Sequence, residues 1–240
     1  SLPGDDPDDP GTFSQAYTWS SRGTLVRIPH LKAGVDNLLP DFRDQVRKAE
    51  LDSLGNVAWY LYDADRKRVM KRVRQGQNIF DRIYVGEWEV WRHTTGSGLQ
   101  QERETLHVMD GDKRLCMVET LTWTGGSAVG TPVSRYRFQL GNHLDSALLE
   151  VNDAGEVITY EEYHPYGSTA WWAEKSGIQV SRKRYRYTGM ERDEETGMAY
   201  HHHRYYLPWL GRWASEDPAG VVDGPNRYVY ARGSPVGGKD

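Results

Sequence analysis

The sequence predicts an all-β protein made of antiparallel hairpins laid side by side in one curved, repeat-built sheet. Three observations carry that prediction. Apolar and polar residues alternate with a period of two in segment after segment, as in Trp59-Tyr60-Leu61-Tyr62 and from Val157 to Glu162. Turn residues such as Asn152-Asp153-Ala154-Gly155 separate those segments. The hairpin units also recur about every twenty residues, the kind of period that marks a repeat architecture. A hairpin cannot bury its own face, so the units must pair with one another.

Composition narrows the class. The 240 residues are only 38% hydrophobic, and the mean hydropathy is −0.75. The aromatic set is fifteen Tyr and nine Trp against four Phe. Tyr and Trp keep a polar tip, which suits a thin shell that is part wet and part buried. Net charge is −4 with both signs interspersed, so no basic stripe of a nucleic-acid binder is present. Cys116, the single cysteine, sits in the apolar run Leu115 to Val118 and reads as a small hydrophobe; no internal disulfide is possible. There is no signal peptide and no apolar run near eighteen residues, so no membrane span is expected.

In chain order, residues 1–16 are acidic and rich in Pro and Gly, and read as a linker or ragged edge. Residues 17–180 read as the repeat sheet. Tyr17 to Arg27 forms a first unit around Gly23, and Trp59 to Arg66 a second, with Arg66 where a turn glycine is expected. Leu149 to Tyr166 is a third. Between them, Ile79 to Arg92 and Gln101 to Trp123 alternate as further strands. The basic run from Arg66 to Arg74 reads as a strand with a solvated face. Pro40 to Glu50 is expected to make two or three helical turns, with single turns at Leu144 to Leu149 and Glu191 to Glu195.

Residues 181–240 form the last unit. Three short aromatic strands are expected at Tyr185 to Tyr187, Ala199 to Tyr206 and Arg212 to Ala214. Asp217-Pro218-Ala219-Gly220 is a well-formed turn, with Asp first, Pro second and Gly fourth.

This stretch carries a resemblance. Its ordered motifs are Y-R-Y-T-G from Tyr185, E-R-D at Glu191, E-T-G at Glu195, R-Y-Y at Arg204, P-W at Pro208, G-R-W at Gly211, D-P-A-G at Asp217, D-G at Asp223 and N-x-Y-x-Y from Asn226. The chain resembles the core-associated segment of RHS/YD-repeat proteins, and is similar above all to the C component of bacterial Tc insecticidal toxin complexes. Tyr60 to Asp63 matches the YD repeat itself, and Gly141 to Ser146 matches G-N-H-L-G-S, with Asp145 in the place of Gly. If that position needs a positive φ, Asp is among the few substitutes that tolerate it.

The resemblance implies a β-spiral shell around a toxin cargo carried on the same polypeptide. It implies partnership with upstream repeats or a shell-completing B-type subunit, and a secreted complex made in the bacterial cytoplasm. It also implies self-cleavage after a second Asp-Pro-x-Gly, with one Asp from each motif. Asp217 matches the first motif. Asp240 fits the second motif's Asp, and the sequence ends there. Two carboxyls held together divide the roles of acid and base, because both do not ionise easily. Arg212 is the arginine expected to orient one of them or to stabilise the oxyanion. Asp223 is a third carboxylate, in a turn pair. Gly233-Ser234-Pro235 departs from the family's two Asn and Pro. The plainer reading is that Asp217 only caps its turn.

Other candidates weigh less. His201 and His203 would share a face of a strand and offer two metal ligands, but a third is not evident, so no metal or other cofactor is assigned. Trp171, Trp172, Trp209 and Trp213 would form a carbohydrate platform or, on the plainer reading, pack the sheet's inner seam, with Trp209 and Trp213 buried. A carbohydrate- or partner-binding module without catalysis is the alternative function, and a free-standing hydrolase a second.

Overall fold

The computed structural model describes residues 16–175, 180–222 and 224–239. Its strands are antiparallel, and the sheets do not close into a barrel. A first hairpin pairs β1 (Thr18–Trp19) with β2 (Leu25–Arg27). Then one meander runs through β3 (Leu38–Pro40), β4 (Val46–Glu50), β5 (Val57–Tyr62), β6 (Arg68–Gln75), β7 (Asn78–Val85) and β8 (Trp88–Thr95). It continues through β9 (Gly98–Asp110), β10 (Lys113–Thr124), a short β11 (Ser127–Ala128), β12 (Ser134–Gly141), β13 (Ala147–Val151), β14 (Val157–Tyr163) and β15 (Thr169–Glu174). Among the described residues this sheet has 13 strands, with β3 and β15 at its edges and β11 appended to β10. A second sheet orders β16 (Glu191–Arg192), β17 (Ala199–His201), β18 (Arg204–Leu207) and β19 (Arg212–Trp213).

One turn recurs between strands. A side-chain acceptor opens it and a left-handed residue closes it. Asp41 Oδ1 accepts the N–H groups of Arg43 and Gln45 at 2.8 and 3.1 Å, and Asp44 has φ 64°. Asn142 holds Leu144 and Ser146 at 3.0 and 3.1 Å, and Asp145 has φ 60°. Asp63 holds Lys67 at 2.9 Å, and Arg66 has φ 66°. The positive φ expected at Asp145 is therefore present, and Arg66 occupies the same left-handed position. This chemistry also corrects the helix expected over Pro40 to Glu50. There the chain forms the hairpin β3–β4, because Asp41 satisfies the turn amides that a helix would spend on its own ladder. Likewise Ala147 begins β13 and Glu191 begins β16; only Glu194 to Thr196 turns within the second of these runs.

The small sheet is a wedge with two apolar faces. Tyr200 pairs with Tyr205, and Leu207 lies on the same side. These pack with Leu25, Leu38, Val46 and Ala58 from the start of the chain. Ala199, Tyr206 and Trp213 face the other way and pack with Leu144, Tyr187 and Tyr230. Tyr185 makes a single bridge to Glu191, and Tyr187–Gly189 is a 3-10 turn with Thr188 at φ 50°, so the strand expected over Tyr185 to Tyr187 does not form. Ala199 to Tyr206 is a hairpin, not one strand, with His202 at φ 55° in its turn.

The segment from Ser181 to Glu195 is locked to one face of the large sheet by buried charge. Tyr60 and Tyr62 share a face of β5 and pair with Lys71 and Arg68. The register slips between Leu61 and Tyr62, and that slip puts Arg68 and Lys71 of β6 on the same face. Arg68 bonds Glu191 and Asp193, each at 2.7 Å, and Lys71 bonds Asp193 at 2.7 Å. Further along, Arg184 ties Glu89 to Glu191 at 2.7 and 2.8 Å. Arg137 holds Glu119 at 2.8 Å, and Ser181 donates to the same carboxylate. Arg186 and Lys183 hold Glu161 at 2.8 and 3.2 Å. The basic run at Arg66 to Arg74 is thus divided: Arg72 and Arg74 keep the solvated face, whereas Arg68 and Lys71 are buried. Isolated ions would be costly there, and pairing makes their burial tolerable.

Candidate functional site

Asp217 stands at the far side of the wedge. Its turn forms as the motif requires: Gly220 N–H donates to the Asp217 carbonyl at 2.9 Å, and Ala219 N–H to Oδ1 at 2.8 Å. That side-chain bond is the turn cap read from the sequence. The other oxygen, Oδ2, is held by Arg204 Nη1 at 3.0 Å. Arg204 lies in turn over the Trp213 ring, 4.0 Å from its centroid. Trp213 is 2% exposed, so the guanidinium rests on a rigid floor. A cleft of about 480 Å³ opens at Asp217, lined also by Ala64, Arg66, His203 and Pro218.

The second carboxylate, Asp240, and the third, Asp223, lie outside the described residues. The arginine seen on Asp217 is Arg204. Arg212, the arginine read from the sequence, lies over the Trp19 and Tyr228 rings at 5.6 and 4.9 Å, and its strand bridges Val229. Arg204 was hidden because Ala199 to Tyr206 reads as one strand, which gives no reason for its side chain to return to Asp217. The hairpin turn at His202 supplies that reason.

The histidines separate. His201 is buried, with its ring edge-on to Trp213 at 5.1 Å, while His202 and His203 are in the exposed turn. Burial first, then His202 and Arg204, push the pKa of His201 down to about 3, so it is neutral. The shared strand face expected for His201 and His203 does not exist. No three His, Cys, Asp or Glu side chains gather as a metal site among the described residues.

The tryptophans are also dispersed. Trp213 is in the wedge core. Trp209 is only partly buried; its Nε1 donates to Tyr17 at 2.9 Å, and its ring meets His30 at 5.1 Å. Trp172 lies under Arg186 at 4.8 Å, whereas Trp171 is 53% exposed on β15 beside Tyr160. They do not make one platform. Cys116 is buried, which raises its thiol pKa and keeps it unreactive.

Comparison with known proteins adds the relationship. No family model matches the chain. It is 40% identical over 202 residues to toxin subunit YenC2 of Yersinia entomophaga, an alignment covering 81% of this chain and 20% of that protein. It is 34% identical over 226 residues to YenC1 of the same organism, covering 92% and 21%. The crystal structure of TcdB2-TccC3-TEV superposes with a TM-score of 0.75 at 28% identity, over 95% of this chain and 12% of that one. The chain therefore spans about a fifth of the length of these curated relatives.

Proposed function

This chain belongs to the RHS/YD-repeat family and is homologous to the C component of Tc toxin complexes, and on that premise we propose that it is the closing part of a toxin-enclosing shell, with an intramolecular aspartyl protease site that frees a C-terminal toxin segment. On this reading residues 17–180 are shell sheet and residues 181–240 the core-associated unit. The partners are upstream repeats or a B-type subunit like the TcdB2 that accompanies TccC3, together with the cargo itself. The setting is a secreted complex made in the bacterial cytoplasm. No helix among the described residues is long and apolar enough to cross a membrane.

The observation that carries the proteolytic half is the Asp217–Arg204 pair. One oxygen of the carboxylate accepts a hydrogen bond from Ala219, the other is ion-paired with Arg204 at 3.0 Å, and the group faces an open cleft. A cap needs only the Ala219 bond; the Arg204 contact orients Oδ2 as well. Amide hydrolysis needs a base to take a proton from water as its oxygen attacks the carbonyl carbon. It also needs an acid to protonate the departing nitrogen. Asp217 and Asp240 would divide those tasks, and Arg204 would keep Asp217 aimed. Arg212 keeps the last strand and the Tyr228 loop together.

The test is a chain extended past Asp240 by a Pro-x-Gly segment. Wild type is expected to run as two pieces on a denaturing gel, at a rate independent of protein concentration. Asp217→Asn and Asp240→Asn are expected to remain intact, since Asn keeps the shape without the acid–base function. Full cleavage in both variants would leave Asp217 as a turn cap and make Asp223 the next carboxylate to test.

A further inference from the structure

His107, on β9, is buried in the seam between the large sheet and residues 181–195, at 6% exposure. Two charged side chains fix its ring. Arg114 Nε, from β10, donates to Nδ1 at 2.9 Å, and Nε2 lies 2.8 Å from Glu89 Oε1 on β8. A guanidinium offers donors only, so Nδ1 is bare and Nε2 carries the hydrogen that Glu89 accepts. The imidazole is therefore neutral although a carboxylate touches it.

The arginine that enforces this state also reaches across the seam. Its guanidinium lies 3.4 Å from the centroid of the Tyr185 ring, and its Nη1 donates to the Gly189 carbonyl at 3.3 Å. Arg114 thus ties β10 to the 3-10 turn Tyr187–Gly189 and to the tyrosine that precedes it. The surrounding charges work against a proton on His107. Arg82, from β7, bonds Glu89 Oε2 at 2.9 Å, and Arg184 bonds the same oxygen at 2.7 Å. Tyr185 donates its hydroxyl to Glu89 Oε1. Glu191 is taken up by Arg184 at 2.8 Å and by the Tyr84 hydroxyl at 2.9 Å. Glu89 is already matched by two guanidiniums and a hydroxyl before His107 is counted. Burial lowers the pKa of His107 from its ordinary 6.5; Glu89 opposes that, and Arg114 and Arg184 add to it.

We propose that His107 and Arg114 form an acid-opened clasp: a proton taken from solvent at Nδ1 meets the Arg114 Nε–H, displaces the guanidinium, and releases residues 185–189 from the sheet. The sign follows from the lowered folded pKa. Above about pH 6.5 the ring is neutral whether the clasp is open or closed, and closure is at its strongest. Below that pH the open form takes up the proton first, so closure weakens as pH falls, and the loss is complete below the folded pKa. The Glu119 carboxylate acts only below its ordinary 4.5, outside this window. The clasp is independent of cleavage at Asp217, because none of its residues borders that cleft.

The experiment is amide hydrogen exchange of the 240-residue chain at pH 7 and pH 5, corrected for the intrinsic effect of pH on exchange. The Arg186, Gly189 and Met190 amides bond within the turn and report the clasp. Their protection should fall at pH 5 by about ten- to thirtyfold, because a released imidazole is then about thirtyfold more often protonated than neutral. The ladder between β6 and β7 should not follow, since a uniform fall means global loosening. His107→Gln takes up no proton yet still offers Arg114 an acceptor, and should abolish the fall. Arg114→Met is the second arm: it removes the displaced donor, so turn protection should be low at pH 7 and change little at pH 5. Equal protection of the turn at both pH values in wild type, an equal fall across β6 and β7, or an undiminished fall in either folded variant overturns the proposal.

Discussion

Glu119 illustrates how a single carboxylate is kept ionised in the seam. Burial pushes its pKa up, but Arg137, the Ser181 hydrogen bonds and Arg103 outweigh that and hold it down to about 2, against an ordinary 4.5. The folded pKa is the lower one, so this group's stabilisation is fully present above about pH 4.5. It is lost as pH falls toward 2. A shift of that size corresponds to about 3 kcal/mol. Glu119→Gln should therefore flatten the fall in thermal midpoint between pH 4.5 and pH 2. At pH 7 it should destabilise by roughly 3–5 kcal/mol, because Arg137 and Arg103 keep their charge with one partner fewer. An acid limb as steep in the variant as in wild type would show that other carboxylates carry it.

At the scale of the element, the recurrent turn makes a distinct prediction. A side chain in the left-handed region costs roughly 1–2 kcal/mol unless it is Gly, or Asn or Asp with local hydrogen bonds. Arg66, with φ 66°, has no such compensation from its own side chain, whereas Asp44 accepts the Thr24 hydroxyl at 2.7 Å. Arg66→Gly should raise the unfolding free energy by up to about 1 kcal/mol, read as a higher urea midpoint, after the greater entropy of Gly in the unfolded chain is set against the gain. Asp44→Gly should be close to neutral or destabilising. A lower midpoint for Arg66→Gly would refute this account of the turn. The turn was legible at Asp63 and Asn152 because its chemistry is local. The hairpin at Pro40 to Glu50 is not legible because Asp41 and Asp44 also suit a helical start, and only the pairing of Lys48 to Glu50 with β5 decides between the two. The buried seam was not legible either. Alternation placed Arg68 on the wrong face, since one slipped register reverses it, and its acidic partners lie more than a hundred residues away. The Asp217 turn could be read in the sequence, but the Arg204 contact could not, for it depends on a hairpin hidden in an aromatic run.

Among the described residues, the large sheet has one polar face that is covered and one apolar face that is not. On the uncovered side, Trp88 pairs with Leu106, Leu106 with Val118, and Val118 with Tyr136. Phe138 and Leu140 extend the band; Val118 within it is half-buried, and its exposed members run from 38% at Leu106 to 51% at Leu140. The two sheet edges differ. β3 has three residues and ends in Pro40, which cannot donate to another strand, so that edge is blunted. β15 has six residues, contains no Pro, and carries the exposed Trp171. Among the described residues its outer side has no partner strand. Unpaired strand groups template pairing, and a contiguous apolar band adds to the drive. The isolated chain should therefore self-associate, principally through β15. Sedimentation across a wide concentration range should show an average mass that rises with concentration. Trp171→Lys should shift that curve toward monomer, because a charge on the edge strand must be desolvated to pair, whereas a blunted β3 offers no comparable route. A monomer of constant mass for the wild-type chain would mean that its edge and apolar band are already covered. An unchanged curve for Trp171→Lys would move the contact from β15 to the band around Leu106 and Phe138.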